Sequence, residues 1–321
     1  MNVLSAINKA LNTGETRFAF ELLPPLKGEG TAEVFKAVEN VLEFNPAYIN
    51  ITFHREGLKH TVRNDGRVEW HTVRRRPGTV GIAAAIQNRY GVPAVPHLIC
   101  GGLSQYDIED NLIDMDILGL QNVLALRGDA SQNEKMFMPH PHGHTHAVDL
   151  VRQIVAMNRG EFVDGEVEKC HRSDFSVGVA GYPEVHAEAV SDEDDMARLK
   201  EKVEAGADYV VTQMFFDNKV YFDFVERCRS IGITVPIIPG LKPLVNAKQL
   251  KSLANTFSIS MPEALVKAVS DCGDNASAVK QTGLKWTVEQ AKELKRAGVP
   301  VIHFYTMSKT ENIAHIAREV F

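Results

Sequence analysis

Short apolar runs alternate with amphipathic segments along the whole chain. The apolar runs are rich in valine, isoleucine, phenylalanine and tyrosine and predict buried β-strands. Eight strands are predicted, at residues 17–23, 47–53, 94–100, 122–127, 175–181, 207–215, 234–240 and 300–306. Apolar residues at three-to-four spacing follow each run and predict helices. The clearest helices are 32–44, 104–118, 192–205, 220–231 and 287–297.

Eight strand–helix units without a break in composition predict an α/β fold, a (β/α)8 TIM barrel, which needs about 250 residues. The chain has 321 residues, and the excess is assigned to an extra N-terminal helix and to long connections at 54–77, 128–145 and 159–174. The first two are long loops after strands 2 and 4. We expect a single domain over residues 1–321. A doubly wound sheet is disfavoured because residues 22–26, LLPPL, replace the glycine-rich turn expected after its first strand.

Residues with capping preferences mark several helix ends. Gly206, Gly232 and Gly298 each end a helical segment just before a strand, where glycine adopts a left-handed conformation without a Cβ penalty. Ser104 and Thr287 stand where N-caps are expected.

Composition and charge exclude several classes of protein. Hydrophobic residues make up 44% and charged residues 24%, as in ordinary globular domains. The 35 basic and 41 acidic residues give a net charge of −6, which argues against a nucleic-acid partner. No stretch approaches the roughly 18 apolar residues of a membrane span. Four cysteines without a CxxC pair, and no signal peptide, predict a cytoplasmic protein with reduced thiols.

Polar groups lie on the predicted strands or just after them, toward the carboxyl ends, where the active site of a (β/α)8 barrel lies. These residues are Glu21, Thr52, His54, His97, Arg127, Gly128, Asp129, Tyr182, His186, Gln213, Tyr305 and Thr306. Glu21 lies inside the apolar run FAFELLPP, so desolvation is expected to raise its pKa and suit it to general acid catalysis. Backbone capping or pairing with an arginine is the structural alternative for Glu21. Asp129 has a similar alternative, an ion pair with Arg127.

Segments matching one family occur in order and cover essentially the whole chain. They are FAFELLPP, YINITF, PHLIC, NVLALRGD, AGYPEVH, LKEKVEAGADYVVTQMFFD, IIPGLKP and HFYTMSK. RGD alone would be a weak signal, but RGD followed by YPEVH and then by LKEKVEAGADYVVTQ is highly specific. The chain therefore closely resembles the methylenetetrahydrofolate reductase family, in its bacterial, catalytic-domain-only form. The resemblance implies one catalytic domain over residues 1–321 and no regulatory domain.

The resemblance implies a flavoprotein that takes hydride from NADH or NADPH onto FAD. In a ping-pong scheme, the reduced flavin then converts 5,10-methylenetetrahydrofolate to 5-methyltetrahydrofolate for methionine synthesis. The resemblance also implies the site residues. Glu21 is the general acid, Asp129 lies near the flavin and the pterin, and Gln213 and Gln249 bind the folate. The implied FAD contacts are Thr52, His97, Arg127, Gly128, Asp129, Ala147, Tyr182, His186, Ala189, Asp195, Arg198 and Lys202. A homo-oligomer is expected.

Three departures from the family pattern affect this transfer of roles. Lys309 stands where the family has an arginine for the glutamate tail of the folate, so the charge is kept but the bidentate geometry is lost. Residues 52–55, TFHR, replace the usual TYGA after strand 2. The insert around residues 158–174 has no counterpart in the short form of the family.

Four alternating histidines at residues 140, 142, 144 and 146 suggest a competing function. Such a patch can bind zinc, nickel or copper, which would fit a metal-dependent TIM-barrel hydrolase. A catalytic metal site takes ligands from several strand ends, however, and all four histidines lie in one loop. We therefore expect no metal there and interpret the loop as a cover over the FAD. A non-catalytic binding barrel explains the fold but not the convergence of Glu21, Asp129 and Gln213.

Overall fold

The computed structural model describes residues 2–55, 57–130, 136–167, 171–306 and 309–321. Its elements, in chain order, are α1 (Val3–Thr13), β1 (Arg17–Leu22), α2 (Ala32–Leu42), β2 (Tyr48–Ile51), β3 (Gly57–Val62), β4 (Val68–Val73), α3 (Val80–Tyr90), β5 (Ala94–Ile99), α4 (Gln105–Ile117), β6 (Asn122–Leu126), α5 (Ala147–Arg159), β7 (Glu161–Phe162), β8 (Gly165–Glu166), β9 (Ser176–Gly181), α6 (Asp192–Glu204), β10 (Tyr209–Met214), α7 (Asn218–Ser230), β11 (Ile237–Leu241), α8 (Lys248–Phe257), α9 (Glu263–Ser270), α10 (Ala276–Arg296), β12 (Val301–Phe304) and α11 (Thr310–Val320).

Eight parallel strands close into a barrel, in the order β1-β12-β11-β10-β9-β6-β5-β2. Hydrogen bonding between β1 and β2 completes the circle. These strands are the eight that the apolar runs predict, so the TIM-barrel prediction is confirmed. The predicted N-terminal helix is α1.

Side chains alternate between two cores along each barrel strand, as the pleat requires. Phe18, Phe20 and Leu22 join helix residues in the larger, outer cluster. The smaller cluster fills the barrel and contains Ala19 together with inward residues of the other strands. Helix α1 closes the amino-terminal end, because Val3 belongs to this inner cluster and its N–H donates to the Asn122 side chain at 2.7 Å.

The predicted helix ends are confirmed except at Thr287. Ser104 caps α4, and Asp107 completes the reciprocal capping box. Gly206, Gly232 and Gly298 have positive φ angles of 115°, 87° and 78° just past their helices. Thr287, in contrast, lies buried inside α10, and the prediction of an N-cap there is wrong.

The N-cap of α10 is Asn275, whose side chain accepts hydrogen bonds from the amides of Ser277 and Ala278. The Thr287 hydroxyl instead donates to the Gly283 carbonyl four residues earlier, at 3.0 Å. Threonine makes this bond inside helices, so its preference for N-caps does not by itself mark a helix start.

Two of the predicted long connections contain antiparallel hairpins that the sequence did not predict. The β3–β4 hairpin lies within residues 54–77, and the two-residue strands β7 and β8 lie within 159–174. Two helices, α8 and α9, also separate β11 from α10. In the part of the chain that the structure describes, no helix combines the length and apolar character that a bilayer crossing requires.

Candidate active site

The carboxyl ends of the barrel strands bring the predicted polar residues to one mouth. Phe304 of β12 is in register with Phe20 of β1 on one side and with Leu241 of β11 on the other. All three belong to the outer cluster, so the residues that follow them project inward at one level. These inward residues are Glu21, Tyr305 and Lys242.

Glu21 is held rigidly at this level. Its side chain is nine-tenths buried, with 8% of the residue exposed. Its backbone carbonyl accepts a hydrogen bond from the Thr306 hydroxyl at 2.6 Å. The sequence prediction that an apolar run desolvates this glutamate is confirmed as far as burial goes.

Tyr305 spans the gap between β12 and β10. Its hydroxyl donates to the Thr212 carbonyl at 2.6 Å, passing over Gly240 of β11. A Cβ atom at Gly240 would lie 2.4 Å from that carbonyl oxygen and 2.6 Å from the Tyr305 ring, so only glycine permits this contact. Burial raises the pKa of Tyr305 well above its ordinary value, so its phenol stays neutral.

A pocket of about 160 Å³ opens beside this layer. Two predicted substrate residues, Gln249 and Lys309, line it together with Lys242, Tyr305 and Thr306. The Gln249 side-chain oxygen accepts from the amides of Val245 and Asn246 at 2.7 and 3.2 Å, which holds this side chain at the rim. Lys309 is exposed at the start of α11. The tertiary structure thus joins residues separated by 60 positions in sequence.

Thr52 follows β2, which pairs with β1 on the side away from β12, and His97 lies on β5, the next strand around the barrel. The Thr52 hydroxyl bonds to the Leu22 carbonyl at 3.2 Å and lies 3.2 Å from Nε2 of His54. His97 is 7% exposed, and its buried Nε2 has no hydrogen-bond partner within the described residues. Burial, reinforced by His303 and His54, lowers the pKa of His97 to about 3. The ring is therefore neutral at physiological pH.

Arg127 directly follows β6 and pairs with Glu188, not with Asp129. Two hydrogen bonds join the guanidinium to that carboxylate, at 2.6 and 2.9 Å. Gly128 follows with a φ of 83°, which turns the chain so that the exposed Asp129 leaves the strand. The Asp129 carbonyl accepts from the Arg55 guanidinium at 2.9 Å. The structural alternative for Asp129, an ion pair within RGD, therefore has no support, since Glu188 pairs with the arginine.

Tyr182 and His186 follow β9 and pack edge to face, with ring centroids 4.5 Å apart. The His186 amide donates to the Asp195 carboxylate at 3.0 Å. Lys202 donates to the Ala180 carbonyl at 2.6 Å, and burial lowers the pKa of Lys202 to about 8 against the opposing effect of Asp195. These four side chains form a second cluster next to Arg127.

The remaining predicted site residues lie on α5, α6 and β10 and in the loop before α6. Arg198 pairs with Asp194 on α6, the Ala189 amide donates to the His186 carbonyl at 2.9 Å, and Ala147 is the first residue of α5. Gln213, near the carboxyl end of β10, accepts from the Met214 amide at 2.9 Å.

Sequence reasoning missed Lys242 and Glu188. Lys242 stands two residues after the predicted strand 7, inside the quoted motif IIPGLKP, so its position near a strand end was an available signal. Glu188 had no such signal, because its pairing with Arg127 joins residues 61 positions apart.

The histidine patch, residues 140–146, makes ring contacts, a side-chain hydrogen bond and a helix cap. The rings of His140 and His142 are 6.1 Å apart, and His144 Nε2 bonds to the Gln153 side chain at 2.5 Å. His146 is the N-cap residue of α5. Within the described residues, no group of three or more histidine, cysteine or acidic side chains is arranged to hold a metal ion. The hydrolase alternative therefore has no support from the described geometry.

Comparison with known proteins decides the family, because residues 6–320 match the profile of the family described as methylenetetrahydrofolate reductase. The chain belongs to the methylenetetrahydrofolate reductase family. The 5,10-methylenetetrahydrofolate reductase of Escherichia coli (strain K12) is 31% identical over 95% of this chain and 92% of its own. Methylenetetrahydrofolate reductase (NADH) 1 of Zea mays is 32% identical over 96% of this chain but 49% of its own. The chain thus spans about half the length of such plant relatives.

Solved structures with low sequence identity share the barrel. One, described as an uncharacterized protein from Clostridium thermocellum that binds two copies of 5-methyl-5,6,7,8-tetrahydrofolic acid, has a TM-score of 0.56 and 16% identity, covering 98% of this chain and 97% of its own. A 2,3-dimethylmalate lyase has a TM-score of 0.50 and 11% identity, covering 99% and 86%. At these identities the similarity concerns the fold alone.

Proposed function

We propose that this protein is a methylenetetrahydrofolate reductase that uses FAD and either NADH or NADPH. It would convert 5,10-methylenetetrahydrofolate to 5-methyltetrahydrofolate and so supply methyl groups for methionine synthesis. The observation that carries the proposal is a buried carboxylate, Glu21, at the mouth of a barrel whose sequence belongs to this reductase family. We place the enzyme in the cytoplasm, as a single catalytic domain that assembles into a homo-oligomer.

The residues around the mouth fit an FAD molecule. His97 offers a buried, unpartnered ring nitrogen, and Arg127 and Lys202 offer cationic groups for phosphates. When bound, FAD accepts hydride from the nicotinamide and passes it to the one-carbon unit of the folate. The residues assigned to hold it are Thr52, His97, Arg127, Gly128, Asp129, Ala147, Tyr182, His186, Ala189, Asp195, Arg198 and Lys202.

Glu21 is assigned as the general acid. Reduction requires the five-membered ring of the substrate to open to a 5-iminium cation, and the departing nitrogen needs a proton. A nine-tenths buried carboxyl at the strand end suits this task, because desolvation favours its protonated form. Asp129 then places a negative charge near the cationic iminium, which favours that state electrostatically.

The pocket beside Glu21 is assigned to the distal part of the folate. Lys309 supplies a cation for the glutamate tail at the exposed rim, and Gln249 contacts the substrate from the same wall. Gln213 is assigned to the pterin.

An absorbance spectrum of the purified protein tests the proposal directly. We expect a yellow protein with noncovalent FAD at about one per chain. The flavin band should bleach with NADH or NADPH and return on addition of either menadione or 5,10-methylenetetrahydrofolate. A protein that stays colourless after incubation with FAD would overturn the proposal. A folate-independent hydrolase activity lost on treatment with a chelator would support the metal alternative instead.

A further inference from the structure

Lys242 is a charged residue at the mouth to which the proposed function assigns no role. It directly follows β11, and strand register puts it at the level of Tyr305 and Glu21, with Tyr305 on the strand between them. Its ammonium nitrogen lies 3.4 Å from the Tyr305 carbonyl oxygen, and its side chain lines the 160 Å³ pocket. Lys242 therefore lies at the level of the buried Glu21, two strands around the barrel from it, and lines the substrate pocket.

The charged groups that face Lys242 come from two other elements. Glu21 on β1 attracts the ammonium, whereas Lys309 at the start of α11 repels it. Burial is the main cause that lowers the pKa of Lys242. Glu21 opposes this shift, and Lys309 adds to it. Tyr305 adds no charge, since burial keeps its phenol neutral. Among the described residues whose charges shift the pKa of Lys242, Glu21 is the one that can carry a negative charge.

We propose that Lys242 is a positioning residue whose ammonium is the counter-charge for the Glu21 carboxylate formed during catalysis. This inference rests on the proposed function of Glu21 as the general acid. In that step, the O–H bond of Glu21 breaks and an N–H bond forms on the departing folate nitrogen as its C–N bond opens. Glu21 gains one negative charge, the iminium gains one positive charge, and Lys242 keeps its proton. A proton taken up from bulk solvent later restores the Glu21 carboxyl.

The physical reason is the cost of leaving a buried carboxylate without a nearby cation. An ammonium at close range stabilises the ionised form and so makes Glu21 a stronger acid. Lys309 is less suited to this role, because it is exposed and water screens its charge.

A titration of the Glu21 carboxyl tests the inference without relying on turnover. Flavin-loaded protein is labelled with ¹³C at the glutamate side-chain carboxyls, and the Glu21 signal is identified by its absence in Glu21→Gln. We expect Lys242→Met to raise the titration midpoint of Glu21 by about one pH unit or more. Lys242→Arg should keep the midpoint near the unsubstituted value, and Lys248→Met, at an exposed lysine of α8, should not change it. An unchanged midpoint in Lys242→Met, or an equal rise in Lys242→Arg, would overturn the inference.

Kinetics separate this inference from the proposed function. The folate half-reaction of Lys242→Met should be slower at low pH and should persist to higher pH, since Glu21 is then a weaker acid. The pH dependence of flavin reduction by NADH should not shift, because that half-reaction takes no proton from Glu21. Thermal unfolding and flavin content verify that the variant folds, and Lys242→Gln replaces it if it does not. If the unsubstituted enzyme itself fails to reduce the folate, the proposed function is wrong, whereas an unshifted pH profile in an active Lys242→Met enzyme refutes only the role of Lys242.

Discussion

Arg127 and Glu188 form a two-point ion pair at the mouth of the barrel, with nitrogen–oxygen distances of 2.6 and 2.9 Å. The guanidinium also lies over the Phe137 ring, 4.9 Å from its centroid. Hydrogen bonding to Glu188 is the main cause that raises the pKa of Arg127. An arginine assigned to FAD thus already has an anionic partner, and the bound cofactor must share or displace that partner.

Glu188→Gln is expected to strengthen FAD binding by up to about fivefold, because it removes a carboxylate that competes with the phosphates of FAD. The size is limited to about 1 kcal/mol, since Glu188 is half exposed and solvent screens the pair. Quenching of flavin fluorescence measures the dissociation constant, and Glu201→Gln on the exposed side of α6 is the matched control. Weaker binding in Glu188→Gln would mean that Glu188 holds Arg127 in its binding position.

Glu21→Gln is expected to leave flavin reduction by the nicotinamide largely intact while slowing the folate half-reaction severely. Hydride transfer to the flavin needs no external acid, whereas ring opening of the folate needs a proton. General acid catalysis is typically worth about 10²–10⁴-fold. Stopped-flow measurement of the two half-reactions checks this separately. Equal losses in both half-reactions would assign Glu21 a structural role.

Asp129→Asn is expected to raise the midpoint potential of the flavin. A nearby negative charge disfavours the anionic reduced form, so its removal makes reduction easier. The variant should accept electrons from NADH more readily and pass hydride to the folate less readily. Redox titration measures the potential, with Asp110→Asn on the exposed face of α4 as the control. A lowered or unchanged potential would contradict the assignment of Asp129 to the flavin.

Lys309→Ala is expected to raise the Michaelis constant for the folate several-fold and to leave turnover near the unsubstituted value. Lys309 is exposed, so its pair with a tail carboxylate is worth about 0–1 kcal/mol and weakens with added salt. Lys309→Arg should retain or improve affinity through bidentate contact. The NADH–menadione assay contains no folate and should not change. Loss of that activity in Lys309→Ala would show that Lys309 supports the barrel or the FAD.

Two buried histidines are expected to make the folded state sensitive to acid. Burial lowers the pKa of both His97 and His303 to about 3, so the folded protein keeps both rings neutral. The unfolded chain takes up protons below about pH 6.5, and the free energy of unfolding therefore falls as the pH drops from there toward about 3. Between neutral pH and about pH 5, the free energy of unfolding of His303→Gln should therefore fall by about 2 kcal/mol less than that of the unsubstituted protein.

Urea unfolding across this pH range measures the effect. The quantity to compare is the change in unfolding free energy between neutral and acidic pH, since the substitution alters the absolute stability as well. His315→Gln, at an exposed position of α11, should retain the full acid sensitivity. An identical pH dependence in His303→Gln would mean that other groups cause the acid sensitivity.

The periodicity of apolar residues predicted the barrel correctly because each strand is buried on both faces and each helix on one. The same signal does not predict hairpins with exposed faces. The strand Val68–Val73 is largely exposed, so its sequence carries little hydrophobic pattern. Thr287 was assigned wrongly because its hydroxyl has two alternatives, a cap or a bond inside the helix, and the sequence did not distinguish them.

The sequence by itself determined that Glu21, His97 and Gln213 lie toward the mouth of the barrel. It could do so because strand order and pleat place every residue at a strand's end near the same opening. The tertiary structure alone decided how these residues are partnered. Arg127 pairs with Glu188, and Lys242 lies at the level of Glu21, because closure of the barrel brings segments together that are distant in sequence. The pattern of residues along the chain does not show which of these segments become neighbours.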